Sequence, residues 1–234
     1  MSVFQFKQFS IQQNNVAMKV GTDAMLLGAI VSVESKSHAL DIGAGTGVLS
    51  LMIAQRNLEI DVEGVEVDPQ TAHECELNFL NSPWRERLVV KCVDFSKFTS
   101  PKVYDVIVSN PPFYESTLLN IDKRKADARH AQSLPMDVLI KKVNDLLAND
   151  GDFWIIVPSE FGEKWIRECN KYSLHLTMQT TIFGKSGGDA KRVVFNFTRL
   201  KKSTRSNQLT IRNDTGGYSE AYKKLTEEFH FKTL

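Results

Sequence analysis

The run Ser109-Asn110-Pro111-Pro112-Phe113 ends an apolar segment with a carboxamide, a backbone carbonyl and an aromatic ring. Each proline fixes φ and removes a backbone donor, and each residue that precedes a proline is pushed toward extended geometry. The sequence therefore predicts a stiff, non-helical tip. Two oxygen acceptors beside a ring would suit a flat, polar ligand. The simpler alternative is that Asn-Pro-Pro only ends a strand and turns the chain.

A second candidate for chemistry is the glycine-rich stretch "LDIGAGTGVL". Gly43, Gly45 and Gly47 would let a ligand come close to the backbone where a helix begins. The dinucleotide fingerprint needs a third glycine where Val48 stands. This pattern indicates a nucleoside ligand but does not favour a nicotinamide dinucleotide. The acidic Asp41 precedes the loop.

Acidic residues end the next two predicted strands. Glu66 offers two oxygens that can accept from two neighbouring ribose hydroxyls. Asp94 could accept from an adenine amino group, with Phe95 beside it. One such residue alone is more often a solvated loop residue, but the carboxyl ends of parallel strands share one edge of a sheet, where such folds bind ligands. Asp68 is instead predicted to cap the helix that Pro69 opens.

These groups need a scaffold, and the hydrophobic pattern predicts one. Seven strands are predicted, at "HALDIG", "DVEGVEV", "LVVKCVD", "YDVIVSN", "DFWIIVP", "LHLTMQTTIF" and "RVVFNFTRL". Helices are predicted after the first, second, fourth and fifth of them, which predicts an α/β fold with a mostly parallel seven-stranded sheet and helices on both faces. The last two strands would form an antiparallel hairpin around "GKSGGDAK".

The remaining segments have weaker patterns. Residues 4–20 alternate apolar and polar around Asn14-Asn15, which predicts an N-terminal hairpin, and Thr22 or Asp23 would cap the helix that follows. Residues 114–132 look like a long loop of the kind that often binds substrate. The tail "KKSTRSNQ" is polar and basic, and "SEAYKKLTEEFHF" is expected to be a closing helix.

Composition limits the class of protein. Hydrophobic residues make up 42% of the 234 residues, and 29 Lys+Arg balance 28 Asp+Glu to a net charge of +1. This balance requires no nucleic-acid partner, yet it leaves room for a local basic face. Cys75, Cys92 and Cys169 are widely spaced and are expected to be buried thiols in a reducing compartment. With no signal-peptide pattern or long apolar run, we expect a cytoplasmic protein.

Four motifs in order, "DIGAGTG", "GVEVD", "VDF" and "SNPPF", resemble those of the Rossmann-like class I S-adenosylmethionine-dependent methyltransferases over essentially the whole chain. Within that class, "FKQFSIQQNNVAMKVGTDAMLLGAIV", "SNPPFYE" and "DARHA" resemble the bacterial tRNA(Val) adenine-N6 methyltransferases, which modify the adenosine 3′ of the anticodon. The resemblance implies one domain, in which residues 1–32 close over the cofactor, residues 33–200 form the core and residues 201–234 extend it. It also implies a monomer that binds tRNA without a metal.

The resemblance also implies roles for individual residues. Glu66 would hold the ribose and Asp94 the adenine of S-adenosylmethionine, and the glycine loop would border its methionine portion. Other expected cofactor contacts are Lys19, Gly21, Thr22, Asp23, Asp41, Phe95 and Asn110. The catalytic tip would be Asn110, Pro111, Pro112 and Phe113. Substrate contacts would come from Phe113, Tyr114, Lys123, Arg124, Arg129 and His130. Arg199, Lys201, Lys202 and Arg205 would add phosphate contacts on the same face.

The expected chemistry is methylation of an exocyclic amine. The Asn110 side-chain oxygen and the Pro111 carbonyl would accept hydrogen bonds from the two N–H groups of the amine. This localises the nitrogen lone pair and stabilises the charge that develops on nitrogen. Phe113 would stack on the base. Alternatives left open are a guanine-N2 rRNA methyltransferase and an N5-glutamine protein methyltransferase. More distant ones are a nicotinamide-dependent oxidoreductase and a non-catalytic RNA-binding module.

Overall fold

The protein is described by a computed structural model that covers residues 2–14, 16, 19–112 and 134–231. In these residues an eight-stranded sheet has the strand order β10-β8-β9-β7-β6-β3-β4-β5, and β1 and β2 pair separately. The strands are β1 (Val3–Gln5), β2 (Ser10–Gln12), β3 (His38–Ile42), β4 (Asp61–Glu66), β5 (Leu88–Cys92), β6 (Tyr104–Ser109), β7 (Leu147–Pro158), β8 (His175–Lys185), β9 (Ala190–Thr198) and β10 (Arg205–Arg212). The helices are α1 (Thr22–Ile30), α2 (Val48–Arg56), α3 (Pro69–Leu80), α4 (Met136–Leu146), α5 (Gly162–Lys171) and α6 (Glu220–Thr226).

The sheet is mostly parallel, as the sequence predicts. Strands β3 to β7 pair in parallel, and only β9 runs against its neighbours β7 and β8. The central strands β3 and β6 are apolar and buried on both faces because helices cover both sides. Helices α1, α2, α3 and α6 pack on one face, and α4 and α5 pack on the other.

The expected strand count was one too few. Residues 205–212 form an eighth strand that pairs in parallel with β8, from Arg205 opposite Met178 to Arg212 opposite Lys185. The first four residues of this edge strand are exposed and polar, so they carry no alternating pattern, and only Leu209 is buried. Backbone pairing therefore forms this strand where the side-chain pattern gave no sign of one.

Two local expectations also needed correction. The N-terminal hairpin exists, but it turns between Phe6 and Phe9, whose rings stack 4.3 Å apart, and not at Asn14-Asn15. Strand β7 begins at Leu147, five residues before the predicted strand starts at Asp152, and its register with β6 shifts in this added part.

The capping prediction for α3 is confirmed, because the Asp68 carboxylate accepts from the Thr71 amide at 2.8 Å. The prediction that Thr22 or Asp23 caps α1 was wrong, because the N-cap is Gly21 and no side chain caps this helix. Cys75 and Cys169 are buried, but Cys92 is exposed. Within the described ranges, every helix is too short or too polar to cross a lipid bilayer.

Candidate active site

The candidate site lies where the direction of strand order reverses. The chain passes from β3 outward to β4 and β5, then returns to β6 on the other side of β3. Ile42 pairs with both Val65 and Ser109 at the ends of these strands. Neighbouring strands lie about 4.8 Å apart, so Gly43 and Asn110 leave the sheet side by side. Such a switch point at the carboxyl edge is where open α/β sheets bind ligands.

The glycine loop after β3 adopts a backbone that only glycine accepts easily. Gly43, Gly45 and Gly47 have φ of +73°, +56° and +80°. A Cβ on Gly43 would meet no atom within 4 Å, whereas one on Gly47 would lie 2.5 Å from Phe79 Cε1. Gly47 is therefore required for packing against α3. Gly43 and Gly45 instead leave an open cradle at the edge of the sheet.

Asp41 is a fully buried carboxylate just below this loop. Its Oδ2 accepts from the Ser50 amide at 3.2 Å and the Ser50 hydroxyl at 2.8 Å. Its Oδ1 is also buried and has no hydrogen-bond partner among the described residues. Burial raises the pKa of Asp41 to about 6, and the bonds from Ser50 offset this only in part. The fold thus keeps an unsatisfied acceptor here, at a cost in stability.

Glu66 ends β4 and holds the glycine loop in place. Its Oε2 accepts from the Gly45 amide at 3.0 Å, and its Oε1 accepts from the amides of Val67 and Asp68 at 2.9 and 3.0 Å. Each carboxylate oxygen has two lone pairs, so Oε2 can accept one more hydrogen bond while Oε1 is fully used. One ribose hydroxyl can therefore bind without change, and a second one requires a backbone bond to be given up.

Asp94 and Phe95 follow β5 and lie one strand further out. The Asp94 carboxylate accepts from the Ser96 amide at 2.8 Å, and this bond lowers the pKa of Asp94, which keeps it ionised. The ring of Phe95 is buried and stacks on Phe98, with 6.0 Å between the ring centroids. The fold thus assigns the Phe95 ring to the core, while its contact with a cofactor stays a prediction.

The tip after β6 is anchored from below. The buried Ser109 hydroxyl donates to the Ile42 carbonyl at 3.1 Å, which joins the ends of β6 and β3. Asn110 and Pro111 are half-buried and Pro112 is exposed. No described residue forms a side-chain hydrogen bond with the Asn110 carboxamide, so its oxygen is available. The other expected substrate contacts lie outside the described residues: Phe113, Tyr114, Lys123, Arg124, Arg129 and His130.

Comparison with known proteins decides the family. The family model "Methyltransferase small domain" matches residues 15–172. The chain belongs to this methyltransferase family. A curated relative from Bacteroides thetaiotaomicron, named tRNA1(Val) (adenine(37)-N6)-methyltransferase, is 40% identical over 97% of this chain and 96% of its own length. One of the same name from Yersinia enterocolitica is 36% identical over 97% of this chain and 92% of its own length.

Solved structures of other methyltransferases share the fold. A predicted O-methyltransferase from Agrobacterium tumefaciens superposes with a TM-score of 0.66, at 17% identity, over 88% of this chain and 96% of that one. The glycopeptide N-methyltransferase MtfA, solved with S-adenosyl-L-methionine, superposes with a TM-score of 0.52 at 15% identity over 73% of this chain and 89% of that one. The sheet is thus the Rossmann-like methyltransferase sheet that the motifs predicted.

The protein is therefore an S-adenosylmethionine-dependent methyltransferase, and two observations show that its edge fits this cofactor. Gly43 and Gly45 leave the backbone open to close approach. The Asp41 carboxylate lies just below this loop, and although its oxygens are buried, its negative charge favours a cationic group such as the ammonium of a methionine portion.

The methyltransferase's N-terminal residues are placed differently from what the sequence suggested. Asp23 was expected to contact the cofactor, yet its Oδ2 accepts from Arg192 Nε of β9 at 2.8 Å, and both side chains are partly buried. This ion pair fastens the first turn of α1 to the sheet. Lys19, Gly21 and Thr22 are exposed. Their cofactor contacts stay predictions, and Asp23 would have to exchange its partner to make one.

The expected phosphate-binding cations that the structure describes lie at the amino edge of the sheet, away from the candidate site. Arg199 donates to the carbonyls of Asn144 and Leu147 at the amino edge of the sheet, so its place on the active-site face was wrong. Lys201 and Lys202 lie in the connection between β9 and β10, and Arg205 is the first residue of β10, toward the same amino edge. At the carboxyl edge, the chain places Lys185, Lys191 and Arg212.

Sequence reasoning missed a polar cluster on the inner face of α3. Glu74 and Asn78 are 5% and 1% exposed, and both bind backbone groups of the N-terminal segment. The only sequence signal is their i, i+4 spacing on the helix face that also carries the buried Cys75 and Phe79. Polar residues on an apolar stripe usually have partners, but the sequence does not say which partners.

Proposed function

We propose that this methyltransferase transfers a methyl group from S-adenosylmethionine to N6 of an adenosine in tRNA, and that the target is adenosine 37 of tRNA1(Val). The observation that carries the proposal is the register of β3 and β6, which sets Asn110 and Pro111 directly beside the glycine loop. The names and full-length similarity of the curated relatives support the choice of tRNA and base.

Different residues of the carboxyl edge bind different parts of the cofactor. Glu66 Oε2 takes a ribose hydroxyl, and Asp94 takes the adenine amino group on the next strand. The buried Asp41 carboxylate attracts the ammonium group through its negative charge, and Gly43 and Gly45 let the loop backbone lie close to the methionine portion. The bound cofactor supplies an electrophilic methyl group at a sulfonium centre.

At the tip, Asn110 Oδ1 and the Pro111 carbonyl accept hydrogen bonds from the two N6–H groups of the adenine. This pulls the nitrogen lone pair out of conjugation with the ring, and it stabilises the positive charge on nitrogen as the methyl group arrives. One of these protons leaves after transfer. Segment 109–112 contains no titratable side chain, and the mechanism requires none with a shifted pKa because the proton leaves from an already cationic amine.

RNA has to approach from the carboxyl edge, and the base must leave its stack to reach the tip. Strands β8, β9 and β10 continue past the level of Ser109. Through the paired strands, Ser109 is level with Gln179 of β8, six residues before Lys185. At about 3.3 Å per residue, the ends of these three strands extend up to about 20 Å past the level of Ser109. They lie two to four strands away from β6, and we call them the wall.

The wall carries cations suited to phosphates. Lys185, Lys191 and Arg212 are exposed and form no ion pair with a described residue. The Arg212 guanidinium lies 4.4 Å from the centroid of the Tyr218 ring, which fixes its position. Asp189 and Asp214 in the adjacent turns reduce the net positive charge, so we assign this wall a positioning role and no sequence readout. We further propose that the protein acts as a monomer in the cytoplasm.

The product identifies the reaction. Purified protein is incubated with labelled S-adenosylmethionine and unmodified tRNA1(Val) transcript, and the digested nucleosides are separated by mass spectrometry. We expect N6-methyladenosine from position 37 and none from a transcript with guanosine at that position. N2-methylguanosine would point instead to a guanine-N2 methyltransferase. Absence of any methylated nucleoside, with cofactor binding intact, would contradict the proposal.

A further inference from the structure

Asn78 uses its whole side chain to join two segments of the chain. Its Nδ2 donates to the Gln12 carbonyl at 3.0 Å and to the Thr46 carbonyl at 2.9 Å. Its Oδ1 accepts from the Gln12 amide at 2.8 Å. The side chain is 1% exposed. Thr46 lies between Gly45 and Gly47, so a single amide ties the N-terminal segment to the glycine loop.

Neighbouring contacts hold the same segment against the same helix. Glu74 Oε1, one turn before Asn78, accepts from the Asn14 amide at 2.6 Å. The buried Gln13 side chain accepts from the Val20 amide at 2.9 Å. The backbone is therefore held at Gln12, Asn14 and Val20, shortly before α1 begins at Thr22.

The glycine loop depends on α3 as well. Gly47 packs so closely on Phe79 and Cys75 that no side chain fits there, and the Thr46 carbonyl turns to Asn78. The inner face of α3 thus sets both the loop that borders the cofactor and the segment that precedes α1.

We propose that Asn78 is a positioning residue for the cofactor site, which holds the N-terminal segment and the glycine loop in one fixed relation. The proposal rests on S-adenosylmethionine binding at this loop and is independent of which base is methylated. Loss of the two donated hydrogen bonds frees the two segments to move apart, and the binding free energy must then restore their order. Cofactor affinity therefore falls, while the chemical step at Asn110 is unaffected once the cofactor is bound.

The chain offers a matched control in Asn57 at the other edge of the sheet. Asn57 Nδ2 also donates to two backbone carbonyls, those of Val33 and Lys36, at 2.7 and 2.8 Å. Its Oδ1 also accepts from backbone amides, those of Glu59 and Ile60. Asn57→Asp and Asn78→Asp therefore remove the same pair of donors, one far from the cofactor loop and one beside it.

The test compares thermal unfolding, the dissociation constant of S-adenosylhomocysteine by calorimetry, and kcat and KM for both variants. We expect both variants to lower the Tm, Asn78→Asp by more, because Asn78 is 1% exposed and Asn57 is only partly buried. Only Asn78→Asp should raise the dissociation constant and the cofactor KM, on the order of tenfold, with kcat at saturating cofactor within twofold of wild type. Asn78→Ala, which introduces no charge, is measured in parallel in case the buried carboxylate prevents folding. Equal cofactor affinity in the Asn78 and Asn57 variants would overturn the proposal and leave the methyltransferase assignment intact.

Discussion

Asp41→Asn should stabilise the free protein at neutral pH while it weakens cofactor binding. Burial raises the pKa of Asp41 from 3.8 to about 6. Each pKa unit corresponds to about 1.4 kcal/mol, so the ionised carboxylate destabilises the folded state by about 3 kcal/mol at pH 8. Asparagine keeps an acceptor for Ser50 and removes the charge. Its own unpaired amide would cost about 1–2 kcal/mol, which leaves a net gain of about 1–2 kcal/mol.

The pH dependence of this gain gives the sharper test. Because the folded pKa is raised, the native state binds more protons than the unfolded state between about pH 4 and 6, and wild-type stability falls as pH rises through this window. The advantage of Asp41→Asn over wild type should therefore shrink by about 2 kcal/mol between pH 8 and pH 4.5. Denaturant unfolding at several pH values measures the difference in free energy of unfolding between the two proteins. The contributions of the other titrating groups cancel in this difference.

The same variant should respond less to ligand. Asparagine is neutral, so it no longer attracts the ammonium group of the ligand. The increase in Tm caused by saturating S-adenosylhomocysteine should fall well below that of wild type. If Asp41→Asn were less stable than wild type at pH 8 by an amount that does not change with pH, the folded state would have a partner for this charge, and our reasoning on its burial would be refuted.

Two further predictions separate packing from binding and one edge of the sheet from the other. Gly47→Ala should lose about 3 kcal/mol of stability, because its Cβ would overlap Phe79 at a positive φ, whereas Gly43→Ala should lose only about 1 kcal/mol yet bind cofactor poorly. Equal stability losses in unfolding experiments would contradict this division. Charge reversal to Glu at Lys185, Lys191 and Arg212 should weaken tRNA binding. A plot of log K for tRNA binding against log salt concentration should also become shallower, with a slope smaller in magnitude by about two to three. The same reversal at the amino edge, at Lys201, Lys202 and Arg205, should change neither, and an equal effect of the two triple variants would show that the wall is not the contact surface.

The sequence could predict those parts of the fold and site that depend on local chemistry. Asp68 before Pro69 gives the helix cap that is observed, and glycines after a buried strand give the loop with positive φ. Asp41, Glu66 and Asp94 lie along the same edge of the sheet, because parallel strands end at a common edge. These features need no knowledge of distant residues.

What the sequence could not predict depends on partners far along the chain. Asp23 looked free for a ligand, but it pairs with Arg192, 169 residues later. Strand β10 exists because β8 offers it backbone groups, although its own residues are polar. Asn78 resembles any polar helix residue until its bonds to Gln12 and Thr46 are seen. In each case the deciding interaction is tertiary, and local propensity carries no trace of it.

The central claim is that the oxygens of Asn110 and Pro111 activate the target amine. Single-turnover methyl transfer to tRNA1(Val) by Asn110→Ala, measured beside the dissociation constant of the cofactor, tests it most directly. We expect the rate constant to fall by about two to three orders of magnitude, with the cofactor dissociation constant within a few-fold of wild type. A variant that still transferred methyl groups at close to the wild-type rate would contradict the account.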